Sequence, residues 1–478
     1  RIIKIKKNRF MMRQNLLTLI ACFFVFQSFA YSVDVTTLGA KGDGITDNTA
    51  IIQKAIDDCS ARQGGTVEIP AGKFLTRTLF LKSDVNLHLQ FGAELLGSTD
   101  LESYHKVFPN LKGKETPALI FARNARNIAV TGLGTINGQG AHPNFQHGND
   151  SKGGPRRPKI IYFMSCNNVR VQDVTLRNSA YWTQDYEKCD GVIVRGVKVY
   201  CHSNWNNDGL DIDSRNVVVS DCYIDCDDDA LCLKSDTDTP CENVTVTNCV
   251  LKTNCNAIKF GTSSYSGFKN VTISNCVIDR ASEDHIRQWY KSYPWLGTKD
   301  KTVVAGIALE SVDGGLMENV IISDIAMRAV QTPIFVRLGD RKRTFSKQIS
   351  RINDVVISRV VARSESKVAC SITGVPGGDI QNLTISDITL VTDAEVGKDE
   401  IKMEVPEAID KYPENRMFGS ILPASGFYIR HADGITLSNI KMITKNKDER
   451  PMFYLDDVKN FVQTGCTFNG AKPTLKKK

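Results

Sequence analysis

Beyond residue 30 the sequence lacks a charge excess, and the whole chain lacks a long apolar run and paired cysteine motifs. Each absence excludes a class of protein. Residues 1–30 contain six basic and no acidic residues, so the remainder has 54 Lys and Arg against 53 Asp and Glu. A nearly neutral body gives no indication of a nucleic-acid partner. No apolar segment comfortably spans a bilayer, so we expect no membrane span. A zinc site has little basis, because no C-x-x-C pair has a partner pair.

The first thirty residues have the layout of an export signal. A basic start is followed by an apolar stretch over residues 16–26 and by the small residues Ser28 and Ala30. This order predicts cleavage near Ala30 and a mature protein in the periplasm or outside the cell. Residues 19–22 read LIAC, which resembles a lipoprotein box. The apolar run continues beyond Cys22, however, so lipid anchoring there is the second interpretation.

The rest of the chain repeats a short pattern of alternating β-branched residues. NNVRVQDVTL at residue 167, RNVVVSDCYI at residue 215 and ENVTVTNCVL at residue 242 are three of its copies. Successive copies are 23 to 27 residues apart when they are aligned on their first valines, which are Val169, Val192, Val217, Val244 and Val271. A unit of about 25 residues made of short strands cannot bury its own apolar face, whereas stacked units can.

The repeat predicts an all-β fold, a parallel β-helix of about ten coils. The frame of leucine-rich repeats is absent, and a β-propeller needs about 40 residues per blade. We expect one domain over residues 31–478 with coils over residues 66–470. Residues 48–61 have helical spacing and predict a cap on the first coil. Residues 391–420 interrupt the repeat and predict a long loop.

The cysteines fit the repeat as buried side chains. Cys222, Cys249 and Cys276 are 27 residues apart and occupy the same position in three copies. Stacked coils would place them in one interior column, about 5 Å apart. Asp221, Asn248 and Asn275 precede them and would form a neighbouring column at the turn, where side-chain amides bond along the stack. Disulfides along the cysteine column are possible but are not implied.

Three neighbouring copies bring acidic residues into one register. Asp208-Gly209-Leu210-Asp211 aligns with residues 229–232 and with residues 256–259. Asp208, Asp229 and Asn256 should therefore lie on successive coils, with Asp228 beside them and Lys259 above Asp211 and Cys232. Mutual repulsion raises the pKa of at least one carboxyl, which provides a proton donor beside ionised bases. A calcium site and a solvated acidic surface remain the other interpretations.

These stretches resemble glycoside hydrolase family 28, the polygalacturonase family. Its N-T-D-G-I-D motif matches residues 206–211, which read NNDGLD, and its D-D-C-I-A-I-K-S motif matches residues 228–235, which read DDALCLKS. Residues 157–160 and 178–183 are also similar to the family. The resemblance implies a right-handed parallel β-helix and inverting hydrolysis of galacturonic-acid-containing pectic polysaccharide. It implies no cofactor and no metal.

The resemblance also assigns roles to single residues. It implies that Asp228 is the general acid and that Asp208 and Asp229 position and deprotonate the attacking water. Asn206 would orient Asp208, and His202 would lie behind the acidic motif. Two family motifs are absent: Asn256 stands where the G-H-G histidine is expected, and Ala308-Leu309-Glu310 replaces R-I-K. The side chains that could instead hold the substrate carboxylate are Lys259, Lys234, Arg287, Arg337 and Arg341.

Other functions remain open at this point. A calcium-dependent pectate-lyase-like enzyme has the same architecture, and a non-catalytic carbohydrate-binding β-helix would keep the repeats. Because two motifs are missing, rhamnogalacturonan and a branched pectin side chain join homogalacturonan as candidate substrates. Trp289, Tyr293 and Trp295 lie in an interruption of the repeat and could form a wall on which sugar stacks. We expect a pectic oligosaccharide or polysaccharide as the partner, and a monomer.

Overall fold

The computed structural model describes residues 31–108, 116–145, 157–284, 286–343 and 348–478. The predicted export signal and Cys22 lie outside these ranges. Among the described residues, no helix has the length and apolar content to cross a membrane.

Short strands account for most of the described chain. The strands of the N-terminal part are β1 (Ser32–Asp34), β2 (Asp43–Asp47), β3 (Gly65–Ile69), β4 (Gly72–Thr76), β5 (Leu79–Phe80), β6 (Val85–Leu89), β7 (Ala93–Gly97), β8 (Ala118–Arg123), β9 (Arg126–Gly132) and β10 (Thr135–Asn137). Those of the middle part are β11 (Lys159–Met164), β12 (Asn167–Gln172), β13 (Thr175–Arg177), β14 (Gln184–Arg195), β15 (Lys198–Cys201), β16 (Leu210–Ser220), β17 (Tyr223–Cys226), β18 (Leu231–Ser235), β19 (Cys241–Thr247), β20 (Val250–Thr253), β21 (Asn256–Ser264) and β22 (Phe268–Arg280).

The C-terminal part continues the same arrangement with longer strands. They are β23 (Val303–Ser311), β24 (Leu316–Leu338), β25 (Arg351–Ile352), β26 (Val355–Ser364), β27 (Cys370–Thr373), β28 (Ile380–Thr392), β29 (Phe427–Thr444), β30 (Phe453–Lys459), β31 (Val462–Thr464), β32 (Thr467–Phe468) and β33 (Leu475–Lys477). The α-helices of the described ranges are α1 (Thr49–Ala61), α2 (Leu101–Val107) and α3 (Trp289–Ser292).

The strands pair as the repeat predicts, each with its counterpart one coil away. The ladders between these strands are parallel, and Val169 pairs with Val192, Val192 with Val217, Val217 with Val244 and Val244 with Val271. The next pairing, between Val271 and Val320, spans 49 residues because residues 281–302 are inserted between β22 and β23. The predicted all-β parallel β-helix is confirmed, and the valines mark its register.

Alternate side chains of each strand fill one continuous apolar interior. Val244, Val246 and Val271 belong to this core, whereas Thr245 and Thr272 point outward. The predicted column of Cys222, Cys249 and Cys276 is buried, and β17, β20 and β22 place the three thiols on adjacent coils. The thirteen cysteines of the described ranges are free thiols.

Side-chain amides bond along the outer turns of the stack. The predicted turn column is only partly connected, because Asn248 donates to Asp221 over 3.4 Å while Asn275 donates to the hydroxyl of Thr247. The longer ladder lies at the other turn and consists of Asn216, Asn243, Asn270 and Asn319. The side-chain amide of each of the last three donates to the asparagine one coil earlier, over 3.0 to 3.2 Å. The four asparagines have φ between 53° and 57°, a left-handed conformation that Asn tolerates.

Helix α1 is present where helical spacing predicts it. Ile52, Ala55, Ile56 and Cys59 are its buried residues and join the apolar core. Its role as a cap and the number of coils stay predictions. Two irregular segments, residues 281–302 and residues 393–426, interrupt the strands, and side chains from both reach the same part of the surface.

Candidate active site

Four neighbouring coils align the polar residues of the acidic motifs. Leu210 of β16 pairs with Leu231 of β18, which pairs with Ile258 of β21, which pairs with Ile307 of β23. The backbone N–H of Gly209 donates to the backbone carbonyl of Asp229 over 2.8 Å, and that of Ala230 donates to the backbone carbonyl of Asn256 over 2.9 Å. The predicted stacking of Asp208, Asp229 and Asn256 is therefore confirmed.

The aligned residues open into a cavity of about 530 Å³. Six of the predicted site residues contribute to its walls: Asn206, Asp208, Asp228, Asp229, Lys234 and Lys259. Arg287 and Arg341 are the seventh and eighth. Aromatic side chains of Tyr181, Trp182, Trp289 and Tyr412 complete much of the surface. The cavity thus combines acids, bases and flat rings, which suits a sugar ligand.

Asp229 is held by two partners from the next coil. Lys259 Nζ lies 2.9 Å from Oδ2, and the Asn256 side-chain amide donates to Oδ1 over 2.8 Å. Burial acts to raise the pKa of Asp229, but Lys259 and Lys234 outweigh it and hold the pKa below the ordinary value. Asp229 is therefore an ionised carboxylate at neutral pH.

Asp208 has a different environment in the same cavity. Its Oδ1 is buried without a hydrogen-bond partner among the described residues, and Lys234 Nζ lies 3.8 Å from Oδ2. Lys234 is closer to Asp211, at 3.0 Å. Burial raises the pKa of Asp208 to about 6, with Lys234 acting in the opposite direction. Asp208 can therefore carry a proton in mildly acidic solution.

Asp228 is paired with an arginine from the inserted segment 281–302. Arg287 Nη2 donates to Asp228 Oδ2, and Arg287 Nε lies 3.2 Å from Asp227 Oδ2. The guanidinium also lies over the ring of Trp205, with 4.9 Å to the centroid, and that of Trp289, with 5.6 Å. Arg287 is 7% exposed. A buried, paired cation thus contacts the predicted general acid.

Some predicted site residues have other roles than those the motifs imply. Asn256 contacts Asp229 and not Asp228, so it does not support the predicted acid. Asn206 accepts a hydrogen bond from Arg157 over 3.2 Å, and the structure records no bond from it to Asp208. Because Arg157 also bonds the carbonyls of Ala180 and Trp205, Asn206 belongs to the scaffold around the acidic turn.

Two further candidates lie outside the cavity. Arg337 is buried and donates to the backbone carbonyls of Gly374, Glu407 and Ala408, so it holds the irregular segment in place and does not face a substrate. His202 is buried behind the site, where its Nε2 lies 2.9 Å from Asp225 Oδ1. Neither side chain belongs to the cavity wall.

The proposed aromatic wall is also only partly present. Trp289 lines the cavity, but Tyr293 packs against Arg416, whose guanidinium carbon lies 4.5 Å from the ring centroid. Trp295 packs against a separate apolar cluster with Ala394 and Ile421. Trp182 takes part instead, because it lines the cavity and Lys234 Nζ lies 4.3 Å above its ring.

The segment 393–426 supplies cavity residues that the repeat does not predict. Tyr412 accepts a hydrogen bond from Lys259 Nζ at its hydroxyl oxygen over 3.1 Å, and Glu414 and Arg416 also line the wall. The only available signal was their position in a charged interruption. Glu310, in the strand that lacks R-I-K, is buried 4.0 Å from Lys259, and burial raises its pKa to about 8.

Asp228, Asp229 and Cys255 have ligand atoms within 4.8 Å of one another, a spacing that a metal ion could use. Arg287 already neutralises Asp228, and Lys259 already neutralises Asp229. A divalent ion would have to displace or oppose both cations. The charges of this set therefore favour ion pairing over metal binding.

The sequence matches Glycosyl hydrolases family 28 over residues 59–407. A probable polygalacturonase of Vitis vinifera is 32% identical over 223 residues, 44% of this chain and 45% of the relative. An exo-poly-alpha-D-galacturonosidase of Dickeya chrysanthemi is 28% identical over 249 residues, 42% of this chain and 41% of the relative. The matched part thus spans less than half the length of these curated relatives.

Solved structures support the same fold. An exopolygalacturonase from Thermotoga maritima superposes with a TM-score of 0.63 at 23% identity, over 76% of this chain and 87% of that one. A family 28 exopolygalacturonase from Yersinia enterocolitica gives a TM-score of 0.67 at 21% identity, over 93% and 79%. The fold and the acidic cavity define a glycoside hydrolase architecture. The chain belongs to glycosyl hydrolase family 28.

Proposed function

We propose that the protein is an inverting hydrolase of pectic polysaccharide that contains α-linked galacturonic acid. The observation that carries this proposal is the unequal setting of three carboxyl groups in one cavity. Lysines hold Asp229 ionised, burial raises the pKa of Asp208 to about 6, and Asp228 pairs with Arg287. Carboxyl groups in unequal settings divide the tasks of acid and base in glycosidic cleavage.

In the proposed reaction, Asp228 protonates the glycosidic oxygen as the C1–O bond breaks. Asp229 and Asp208 bind a water molecule on the opposite face of the sugar, and Asp229 takes its proton as the oxygen bonds to C1. Lys259 and Asn256 fix the orientation of Asp229, and Lys259 keeps its carboxyl group ionised so that it can accept the proton. The products are a sugar with inverted configuration at C1 and the shortened chain.

The substrate class follows from charge and shape. Lys234, Lys259, Arg287, Arg341 and Arg416 line the cavity, so an anionic sugar chain is favoured over a neutral one. The flat surfaces of Trp182 and Trp289 can pack against the apolar face of a pyranose ring. Because Glu310 replaces a basic residue expected near the site, rhamnogalacturonan and branched pectin join homogalacturonan as candidate substrates.

The test uses defined oligosaccharides of homogalacturonan and rhamnogalacturonan, with products identified by mass and linkage. Proton NMR during the first turnovers should show the β-anomer released from an α-linkage. Asp228→Asn serves as the inactive control. Retention of configuration, or no cleavage of any galacturonide, would contradict the proposal.

A lyase reaction is the second candidate function, because three potential ligands for a cation converge at Asp228, Asp229 and Cys255. A lyase would release unsaturated products that absorb in the near ultraviolet. Its activity would disappear with a chelator and return with calcium. We expect activity that is independent of added calcium, with no rise in ultraviolet absorbance.

Export is proposed from the first thirty residues alone. Expression of the full sequence in a Gram-negative host, followed by amino-terminal sequencing of the mature protein, tests it. Cleavage near Ala30 is the expected result. A lipid-modified Cys22 would instead place the protein on a membrane surface.

A further inference from the structure

Asp228 and Arg287 present a chemical conflict within the proposed mechanism. Arg287 Nη2 donates to Asp228 Oδ2, and a guanidinium in contact favours the ionised form of a carboxyl group. A general acid must hold a proton before it can donate one. The contact therefore favours the form of Asp228 that has no proton to donate, and separation of the pair would favour the protonated form.

Arg287 is placed so that it can give up one partner and keep others. Asp227 Oδ2 lies 3.2 Å from its Nε, and the rings of Trp205 and Trp289 lie along the guanidinium. These contacts fix the side chain independently of Asp228. Because Arg287 also lines the cavity, its Nη atoms can turn toward an incoming anion without leaving the two rings.

The substrate can supply that anion. A galacturonate residue carries its carboxylate on C5, only a few bonds from the glycosidic oxygen that Asp228 must reach. The other cavity cations also have acidic partners: Lys259 contacts Asp229, Lys234 contacts Asp211, Arg341 contacts Asp313, Arg343 contacts Asp236 and Arg416 contacts Glu414. Arg287 is the cavity cation that touches the proposed acid.

We propose that Arg287 is a positioning residue that exchanges Asp228 for a carboxylate of the substrate, and that this exchange lets Asp228 take up the proton it later donates. This inference rests on the proposed hydrolysis. The charges balance: one substrate carboxylate enters, Arg287 stays protonated, and Asp228 goes from the anion to the neutral acid by taking one proton from solvent. An anionic sugar therefore converts Asp228 to the protonated acid, whereas the neutral ester of the same sugar does not.

Several charged or titratable groups surround Asp228, and their charges also affect the protonation of its carboxyl group during the exchange. From its own turn, its neighbours are Asp227 and Asp229, and across the cavity lies Asp208. The other charged or titratable groups of the cavity wall are the cations Arg287, Lys234, Lys259, Arg341, Arg343 and Arg416, the acid Glu414, and Cys255, Tyr181 and Tyr412. Lys234 and Lys259 act mainly on Asp208, Asp211 and Asp229.

Proton uptake on binding tests the exchange directly. D-galacturonate is titrated into the whole protein by calorimetry in mildly acidic buffers of different ionisation enthalpy, and the methyl ester of the same sugar is titrated in parallel. We expect uptake approaching about one proton with the acid and none with the ester. Arg287→Gln and Asp228→Asn should each abolish the uptake. Arg328→Gln, which removes an exposed arginine that pairs with Asp279, is the matched control.

Kinetics supply a second readout that a merely structural role would not change. In the parent protein the alkaline limb of kcat, which reports the bound state, should lie roughly 1–3 pH units above that of kcat/KM. In Arg287→Gln the two limbs should coincide and KM should rise. Coincident limbs in the parent protein, no binding of D-galacturonate, or proton uptake that persists in Asp228→Asn would overturn the exchange. Failure to cleave any galacturonide would instead contradict the hydrolysis itself, and the calorimetry still decides the exchange.

Discussion

At the residue scale, the three carboxyl groups of the cavity differ mainly in their counterions. Asp229 contacts Lys259, Asp228 contacts Arg287, and Asp208 has only a lysine at 3.8 Å. Similar side chains thus have unequal proton affinities within one cavity. This inequality makes each aspartate individually necessary in the proposed reaction.

Replacing each aspartate by asparagine tests that necessity with little change of shape. Asp228→Asn removes the proton donor, and kcat should fall by about 10²–10⁴-fold or more. Asp208→Asn and Asp229→Asn should each be comparably damaging, because they share one water. The double variants should lose little more than the single ones, since the groups act as a unit.

The measurement is kcat on the best substrate, together with the melting temperature to establish folding. Asp399→Asn, an exposed aspartate on the segment 393–426, is the control and should keep full activity. A folded Asp228→Asn variant with undiminished activity would leave the family relationship as a statement about the scaffold alone.

Glu310 makes a prediction about stability and pH. Burial raises its pKa to about 8, so between about pH 4.5 and 8 the folded state holds a proton that the unfolded state releases. The free energy of unfolding contributed by this group therefore falls as pH rises through that range. Glu310→Gln does not titrate and should be more stable than the parent at pH 8, by on the order of 2 kcal/mol, with a smaller difference at pH 5.

Melting temperatures of both proteins at pH 5 and pH 8 check this expectation. Glu395→Gln removes an exposed glutamate and should leave the pH dependence unchanged. If the melting temperatures of Glu310→Gln and the parent change equally with pH, Glu310 is ionised in the folded protein. The charge of Lys259 then fully offsets the cost of burying the Glu310 carboxylate.

At the element scale, two irregular segments complete a cavity that the coils only begin. Arg416 of segment 393–426 lies 4.2 Å from the ring centroid of Trp289 and 4.5 Å from that of Tyr293, both in segment 281–302. The same segment brings Tyr412 to Lys259. Contact between the segments therefore positions part of the wall beside the acidic coils.

Arg416→Met keeps most of the side-chain volume but removes the charge between the rings. Partly buried cation–π contacts are worth about 0.5–2 kcal/mol, so segment 393–426 should open more often. We expect faster hydrogen exchange in that segment and a KM raised several-fold, with a smaller effect on kcat. Arg359→Met, which removes an exposed arginine, is the control. Unchanged exchange in the segment would show that other contacts hold it.

Whether the sequence predicts a contact in this site depends on how far apart the two residues lie along the chain. The register of Asp208, Asp229 and Asn256 follows from a local period, so aligned copies predict it. The hydrogen bond between Lys259 and Tyr412 joins residues 153 positions apart. Tyr412 lies outside the repeat, so the period of the repeat does not predict this contact. The alignment places Asn256 on the coil next to Asp229, but it does not give the direction of the side chain, so the bond from Asn256 to Asp229 needs the structure.

At the scale of the whole molecule, the strands of one coil pair with those of the coils on either side. The parallel pairings connect successive copies of the repeat, so stability is approximately a sum of coil and neighbour terms. The asparagine ladder at the outer turn has the same one-dimensional character. Asn243 donates to Asn216 and accepts from Asn270, so its amide connects three consecutive coils.

Asn243→Ala and Asn460→Ala compare the middle of the stack with its end. Both residues have positive φ, 56° and 45°, so alanine strains the turn similarly at both positions. Asn243 bonds to both neighbouring coils, whereas Asn460 has one recorded bond along the stack, to Asp433 over 2.7 Å. At about 0.5–1.5 kcal/mol per hydrogen bond, Asn243→Ala should lower stability further than Asn460→Ala.

Thermal unfolding of the two variants measures the order. Equal losses would mean that backbone strain, and not the amide ladder, sets the cost, and Asn243→Gly, which relieves the strain but lacks the bonds, separates the two contributions.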